Sequence, residues 1–184
     1  ARQAATAGVG RFIFISSIGV LGNHSNDRPF DENSPYAPVE DYAISKMEAE
    51  IALKDLFSNS TCELVIIRPT LVYGPQVKGN FERLIKLVKK TAIIPLGAVK
   101  AQRSYVAIDN LCDFIKTCIE SPQAASKTFL IADNDDCNTK DLLKKIAREL
   151  QQKNCLFHVP RFLMLMAGRI ISKEKEVQRL FNNL

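Results

Sequence analysis

Two runs of β-forming residues separated by a helical pattern constrain the fold of this 184-residue chain more than any other feature. The runs are RFIFIS (11–16) and ELVIIRP (63–69), and each is apolar without interruption through its middle. Continuous apolar runs of this length are typical of strands buried on both faces of a sheet. Residues 42–57, between them, carry apolar residues at helical spacing. A strand, a crossover helix and a second strand predict a parallel α/β sheet with right-handed connections.

The rest of the chain predicts shorter elements of the same two types. The run TFLIAD (128–133) is typical of another strand. A loop rich in Asn, Asp, Ser and Pro is expected over residues 19–41, and ordered loops of that length are usually functional. The spacing of apolar residues predicts further helices at about 80–90, 109–121, 138–152 and from Pro160 onward. Asp41 is available as the N-cap of the helix over 42–57, and Asn138 with Asp141 resembles a capping arrangement for the helix that runs to Gln152.

The composition argues against several classes of function. The net charge is +5 and the pI is near 9.0, but lysines recur at helical spacing opposite apolar residues, which is typical of solvated helix faces rather than of a nucleic-acid surface. The five cysteines form no CxxC pair and have no nearby histidine at ligand spacing, so we expect no metal site and a cytoplasmic protein with reduced thiols. The most apolar stretch, 162–171, is too short to span a bilayer, and no membrane insertion is expected.

A tyrosine and a lysine stand four residues apart in the segment EDYAISKMEAE (40–50). Tyr42 and Lys46 lie one turn apart on one helix face, so both side chains can point into the same cleft. The first strand ends in Ser16–Ser17, and the second ends in Arg68–Pro69–Thr70. These ends lie at the carboxyl edge of the predicted parallel sheet, where α/β proteins bind ligands. The sequence therefore predicts a site that combines a strand-end hydroxyl with the Tyr–Lys pair.

Four segments in this order, FISSIGVLGN, YAISK, IIRPTLVYGP and QRSYVAIDNL, resemble extended short-chain dehydrogenase/reductases. Within that superfamily the chain is most similar to the UDP-glucose 4-epimerase-like group of the NAD-dependent epimerase/dehydratase family. The resemblance covers the whole chain and is strongest over 11–115. It implies part of a doubly wound, Rossmann-like parallel sheet with a smaller substrate-binding lobe.

The resemblance implies a catalytic triad of Ser17, Tyr42 and Lys46. A lysine ammonium and a positively charged nicotinamide both stabilise a phenolate, which is the form of tyrosine that can accept a proton. Tyr42 is then the acid/base that removes a sugar hydroxyl proton while hydride passes to the cofactor. Lys46 holds the nicotinamide ribose, and Ser17 keeps the substrate oxygen aligned with Tyr42.

Other contacts follow from the resemblance position by position. The residues that it places against the cofactor are Ser16, Tyr42, Lys46, Pro69 and Val72. The residues that it places against the nucleotide sugar are Ser17, Asn80 and Arg103. Arg103 suits the diphosphate because a guanidinium can bind it through two hydrogen bonds. Simpler roles stay open for three of these residues: Pro69 as a strand terminator, Asn80 as a helix N-cap, and Arg103 as a surface arginine.

Several residues depart from the family's sequence pattern and exclude some of the reactions that its members catalyse. Sugar 4,6-dehydratases of this branch have an Asp–Glu pair where this chain has Ile18 and Gly19, which cannot move protons. Dehydration is therefore not expected. Epimerase-reductases of the GDP-fucose type have a cysteine at the Ile18 position, and that residue is absent as well. Leu71 and Asn110 replace an asparagine and an aspartate found in many relatives.

The sequence also predicts how the chain is divided. Residues 1–75 are expected to form the carboxyl-terminal half of the Rossmann domain, with the triad. Residues 76–184 are expected to form mainly the substrate lobe, with some segments returning to the sheet. No glycine-rich pyrophosphate loop occurs in the 184 residues. We therefore expect a fragment that lacks the amino-terminal half of the Rossmann domain and is inactive by itself.

The function that these observations predict is that of a nucleotide-sugar 4-epimerase of the UDP-glucose or UDP-N-acetylglucosamine type. It would act by transient oxidation at C4 with bound NAD, although NADP is not excluded. One alternative is an NAD(P)H-dependent reductase of a 4-keto-6-deoxy UDP-sugar, and a second is a non-catalytic nucleotide- or protein-binding member of the fold. The family also implies a homodimer and a role in polysaccharide biosynthesis.

Overall fold

The structure is a computed structural model, and it describes residues 1–25, 28–76, 80–97, 99 and 101–170. Its helices are α1 (Arg2–Thr6), α2 (Asp41–Phe57), α3 (Asn80–Lys90), α4 (Ile108–Glu120), α5 (Thr139–Glu149) and α6 (Arg161–Ile170). Two short 3₁₀ helices span Ile18–Leu21 and Pro122–Ala124. Its strands are β1 (Arg11–Ile15), β2 (Glu63–Pro69), β3 (Leu71–Tyr73), β4 (Ile93–Ile94), β5 (Gln102–Arg103), β6 (Tyr105–Ala107), β7 (Thr128–Ile131), β8 (Cys137–Asn138) and β9 (Cys155–Leu156).

The central sheet has three strands in the order β1-β2-β7, and all of them are parallel. Ile13 is paired with Val65, and Ile67 is paired with Phe129. The helix α2 connects β1 to β2, as the sequence predicts. The α/β class with a parallel sheet is therefore confirmed. The strand β7 joins this sheet from the second half of the chain.

Alternating side chains of β2 build a separate hydrophobic core on each face of the sheet. Leu64 and Ile66 pack with Leu53 and Phe57 of α2 on one face. Val65 and Ile67 of β2 face the other way and pack against α4. The buried members of the core on that face are Val65, Ile67, Val106, Leu111, Cys118 and Ala124. Because both faces are covered, the continuous apolar pattern of β2 is explained.

The remaining strands form three two-stranded sheets, which are β3–β6 and β4–β9 in parallel and β5–β8 antiparallel. A third core lies among them and the helices α3 and α5. Its largest fully buried members include Val88, Ile94 and Leu143. The division into domains at residues 75 and 76 stays a prediction.

The two predicted helix N-caps have different outcomes in the structure. Asn138 caps α5, as predicted, because its Oδ1 accepts a hydrogen bond of 2.9 Å from the Asp141 amide. The expectation that Asp41 caps α2 is wrong. Glu40 is the N-cap, in extended conformation and without a side-chain cap bond, and Asp41 already lies in the first turn. A carboxylate there still interacts favourably with the positive end of the helix dipole.

The predicted loop of residues 19–41 begins with regular structure. Its first residues belong to the 3₁₀ helix Ile18–Leu21, for which Ser17 is the N-cap. The turn packs against the loop that follows, since Ile18, Val20 and Leu21 form a small core with Phe30 and other partly buried residues. The Ala37 amide also donates to the Val20 carbonyl at 3.0 Å. This part of the loop is therefore anchored to the end of β1.

Within the part of the chain that the structure describes, no helix is long and apolar enough to cross a membrane. Among the same residues, no group of three or more His, Cys, Asp or Glu side chains is arranged to hold a metal ion. All five cysteines are free thiols.

Candidate active site

The carboxyl end of β1 and the first turns of α2 bring the predicted Tyr–Lys pair together. Lys46 Nζ donates a hydrogen bond of 3.0 Å to the carbonyl of Ile15, the last residue of β1. The same nitrogen lies 4.8 Å from the centre of the Phe14 ring and 5.8 Å from the centre of the Tyr42 ring. The ammonium is therefore held at the strand end, next to Tyr42, and 61% of Tyr42 is exposed to solvent.

Ser17 is the second residue after the end of β1 and is half-buried. Its Oγ accepts a hydrogen bond of 3.2 Å from the Gly19 amide. A serine hydroxyl both donates and accepts, so this bond leaves the hydroxyl proton available for another oxygen. A Cβ added at Gly19 would lie 3.4 Å from Ser17 Oγ and 3.5 Å from the Ala43 Cβ. Gly19 therefore lies between the serine and the first turn of α2.

The other predicted contacts lie on several different elements. Pro69 is buried at the end of β2, where it is paired with Ile131. Val72 lies on β3 and Arg103 on β5, in two separate two-stranded sheets, and both are half-buried. Asn80 is the first residue of α3, but its side chain lies outside the described residues. The roles assigned to these residues stay predictions.

A buried ion pair behind the Tyr–Lys pair was not predicted from the sequence. Glu50 is 0% exposed and Arg68 is 2% exposed. Arg68 Nε donates to Glu50 Oε1 at 3.1 Å, and Arg68 Nη2 donates to Glu50 Oε2 at 2.7 Å. The Tyr36 hydroxyl donates to the same Oε2 at 2.7 Å. The sequence signal that could have predicted this pair is Arg68 itself, which lies inside a strand predicted to be buried on both faces. A buried charge requires a partner.

The environment of Glu50 favours its ionised form. Burial raises the pKa of this carboxyl, but the hydrogen bonds from Arg68 and Tyr36, together with the nearby Ser16 hydroxyl, outweigh burial and lower the pKa below its usual value. For Arg68, burial lowers the pKa, and the hydrogen bond to Glu50 more than reverses this effect.

A second polar cluster lies after β7, around Asp133. Its carboxylate accepts hydrogen bonds from the Tyr73 hydroxyl at 2.9 Å, the Ala107 amide at 3.0 Å and Asn110 Nδ2 at 2.8 Å. Burial raises the pKa of Asp133, but these hydrogen bonds prevail and lower it. Asn110, the departure noted in the sequence, thus acts as a donor to Asp133.

A cavity of about 360 Å³ opens beside this cluster. Its walls are mainly apolar side chains of α3 and α5, such as Phe81 and Leu142, together with Tyr73 and Asp133. Neither Ser17 nor the Tyr–Lys pair lines this cavity. The site predicted for the triad is therefore separate from this cavity.

Comparison with known proteins identifies the family. The sequence profile of the NAD dependent epimerase/dehydratase family matches residues 1–132. The chain belongs to this family. The resemblance predicted from the four sequence segments is thus confirmed, and so is NAD as the cofactor by which the family is described.

Two relatives of the chain are 4-epimerases by name. The chain is 42% identical to the UDP-glucose 4-epimerase of Vibrio cholerae over 186 residues, which cover 100% of the chain and 57% of that protein. It is 30% identical over 163 residues to the N-acetyl-alpha-D-glucosaminyl-diphospho-ditrans,octacis-undecaprenol 4-epimerase of Escherichia coli O157:H7, with 88% of the chain and 49% of that protein covered. The chain thus spans about half the length of the curated relatives it matches.

A solved structure of a named epimerase shares the fold. The UDP-glucose 4-epimerase of Thermotoga maritima, solved with UDP-glucose, superposes with a TM-score of 0.73 at 20% sequence identity. The match covers 86% of this chain and 53% of that protein. This likeness confirms the Rossmann-like class predicted for the chain.

Proposed function

We propose that this chain carries the acid/base part of a nucleotide-sugar 4-epimerase that acts on UDP-glucose or UDP-N-acetylglucosamine. The observation that carries the proposal is the position of Lys46, which is held by the Ile15 carbonyl at the end of β1 with its ammonium beside Tyr42. Further support comes from the Vibrio cholerae relative, which matches the chain over its whole length and is named a UDP-glucose 4-epimerase.

Each residue of the triad has a role in this proposal. Tyr42, as phenolate, accepts the proton of the sugar C4 hydroxyl, and its exposed ring leaves room for a substrate. Lys46 stabilises the phenolate with its positive charge and can donate to ribose hydroxyls. Ser17 uses its remaining hydroxyl proton to hold the reacting oxygen in line. NAD, when bound, supplies the hydride acceptor and donor at C4.

The residues present fit one end of that cofactor. Lys46, Ser16 and the buried Pro69 lie at the ends of β1 and β2 or against them, at the sheet edge where the family places the nicotinamide and its ribose. Val72, on β3, is proposed as a further contact. The 184 residues contain no glycine-rich loop that could hold the pyrophosphate. We propose that the seat of the pyrophosphate lies elsewhere in the complete protein.

The substrate end of the proposal rests on Arg103 and Asn80. Arg103 would bind the diphosphate of the nucleotide sugar, and Asn80 would contact the nucleotide at the start of α3. For the complete protein we propose a homodimer that works in the cytoplasm, in polysaccharide biosynthesis.

The test uses the complete protein that carries this chain, incubated with NAD and UDP-glucose or UDP-N-acetylglucosamine without added reductant. Proton NMR is expected to show inversion at C4. Tyr42→Phe should lower the rate by about 10²–10⁴-fold, the usual contribution of a general acid/base, and leave the melting temperature unchanged. Consumption of NADPH with a 4-keto UDP-sugar, without C4 inversion, would instead identify the reductase. Binding of nucleotide sugar with no turnover in either assay would identify a non-catalytic member of the fold.

A further inference from the structure

A fully buried ion pair connects the elements that carry the candidate site. The Arg68 side chain is 3% exposed and the Glu50 side chain is 0% exposed. Arg68 lies near the end of β2, and its Nε and Nη2 each donate a hydrogen bond to the Glu50 carboxylate of α2. A two-point bond of this kind restricts orientation as well as distance. It therefore resists rotation of α2 relative to β2.

Glu50 lies on the same side of α2 as the proposed catalytic pair. Tyr42, Lys46 and Glu50 follow each other at four-residue intervals, about 6 Å apart along the helix axis. Lys46 is bonded to the Ile15 carbonyl of β1, and Glu50 is bonded to Arg68 of β2. The helix is thus attached at consecutive turns to two neighbouring strands.

The strand end that carries Ser17 lies next to this attachment. Ile15 is paired with Ile67, and the Ser16 amide donates to the Ile67 carbonyl at 2.7 Å. Arg68 follows Ile67 directly. Any rotation of α2 that Arg68 prevents would otherwise change the position of Tyr42 relative to Ser17.

The pair also fastens the loop between the 3₁₀ helix Ile18–Leu21 and α2. Tyr36 donates to Glu50 Oε2, and its ring lies 5.2 Å from the Arg68 guanidinium carbon. Arg68 Nη1 also donates to the Glu32 carbonyl at 3.3 Å. Lys54 Nζ, one turn beyond Glu50, donates to the Tyr36 hydroxyl at 3.0 Å. The loop is held on the side of α2 that carries Lys46 and Glu50.

Stability alone is a weak reason for this arrangement. Removing two charges from water is costly, and apolar side chains of similar volume are often equally stable in such places. A buried ion pair with two parallel hydrogen bonds instead fixes the relative orientation of the two elements that it joins.

We propose that Glu50 and Arg68 are positioning residues that fix the rotation of α2 and thereby hold Tyr42 and Lys46 in register with Ser17. The proposal rests on the proposed function for its effect on turnover. Its structural content does not depend on the identity of the sugar.

The experiment uses the complete protein with four variants. Arg68→Met and Glu50→Met each leave one charge buried without its partner, and the double variant removes both charges. The matched control is Arg148→Met, which removes an arginine from an ion pair with Glu149 whose side chains are 81% and 76% exposed. For each protein, we would measure the melting temperature, kcat and KM for C4 inversion, and amide hydrogen exchange of residues 28–47.

Both single variants are expected to have a lower melting temperature than the wild type. The double variant should have a melting temperature close to that of the wild type. The double variant should nevertheless keep a kcat lowered by roughly 10-fold or more, with KM changed less than about threefold, because small errors in the placement of reacting groups cost large factors in rate. Its amide exchange in residues 28–47 should be faster than in the wild type. Arg148→Met should match the wild type in all three measurements.

A double variant that regains kcat together with its melting temperature would overturn the proposal, because the pair would then serve stability only. Unchanged amide exchange in residues 28–47 would overturn it as well. If the complete protein shows no C4 inversion, the proposed function fails, and amide exchange alone decides whether the pair positions α2. If the double variant does not fold, Arg68→Lys, which keeps the charge but loses the fork, takes its place. A wild-type kcat in that variant would contradict the proposal.

Discussion

At the scale of single residues, the structure separates charges that set geometry from charges that do little. The Glu50 carboxylate is surrounded by Arg68 and Tyr36 and is wholly buried, whereas Glu149 pairs with Arg148 in solvent. Exposed pairs of the second kind contribute about 0–1 kcal/mol. The loss of one partner from a buried pair costs about 3–5 kcal/mol because the other charge is left unpaired.

The lowered pKa of Glu50 predicts how stability depends on pH. A carboxyl with a lowered pKa in the folded state contributes stability that is present above its ordinary value of 4.5 and is lost as the pH falls through the folded pKa. Glu50→Gln should therefore lower the free energy of unfolding at pH 7 by about 3–5 kcal/mol. It should also make unfolding less sensitive to acid below pH 4.5 than in the wild type.

Urea unfolding of the complete protein from pH 7 to pH 3 measures both effects. Glu149→Gln is the control, and its change in unfolding free energy is expected to stay within about 0.5 kcal/mol of zero. An acid dependence of Glu50→Gln identical to that of the wild type would show that Glu50 does not ionise with a lowered pKa.

At the scale of elements, close backbone contacts join the short strands of the third core, among α3 and α5. The strands β4 and β9 are only two residues long each, and they continue into a hydrogen bond of 3.0 Å from the Gly97 amide to the Phe157 carbonyl. A Cβ at Gly97 would lie 2.9 Å from that carbonyl oxygen, closer than side-chain carbons normally approach. Glycine is therefore required at this position for packing.

Gly97→Ala is expected to destabilise the complete protein by about 1–3 kcal/mol, because either the alanine methyl group or the Phe157 backbone must move. Gly10→Ala is the matched control, since a Cβ there meets nothing within 4 Å. Thermal unfolding of both variants tests the contact. Equal melting temperatures for the two variants would mean that the Phe157 backbone accommodates a methyl group at position 97 without loss of stability.

The elements that could be predicted from the sequence are those set by local pattern. The apolar runs of β1 and β2, the helical spacing of α3 and the Asn138 cap each depend on neighbouring residues, and each was predicted correctly to within about one residue. The 3₁₀ helix Ile18–Leu21 was missed, because it depends on the Ser17 hydroxyl and on packing against the distant Phe30.

Within the candidate site, the Tyr–Lys pair could be predicted because four-residue spacing on a helix is itself geometric. The partnership of Glu50 with Arg68 could not be predicted in the same way. It joins a helix to a strand 18 positions away in the sequence, and its geometry depends on how α2 packs on the sheet. The Asp133 cluster was missed for the same reason, since Tyr73 is 60 positions from its carboxylate partner.

At the scale of the whole molecule, the chain holds residues suited to proton transfer but no glycine-rich loop for the cofactor pyrophosphate. We therefore predict that the 184-residue chain alone binds NAD more weakly than micromolar, whereas the complete protein binds it tightly. Isothermal titration of both proteins with NAD measures the difference, and circular dichroism of the chain checks that it is folded. Micromolar affinity in the folded chain would show that these residues hold the cofactor by themselves.

In the proposed reaction, Tyr42 and its neighbours serve inversion at C4 through oxidation and return of the same hydride. The decisive experiment incubates the complete protein with NAD and, in separate reactions, with UDP-glucose and UDP-N-acetylglucosamine deuterated at C4, in ordinary water and without reductant. The expected product is the C4 epimer of one or both sugars with deuterium retained at C4, as read by NMR. An epimer that has lost the label to solvent, or no C4 epimer of either sugar, would show that the proposed reaction does not occur.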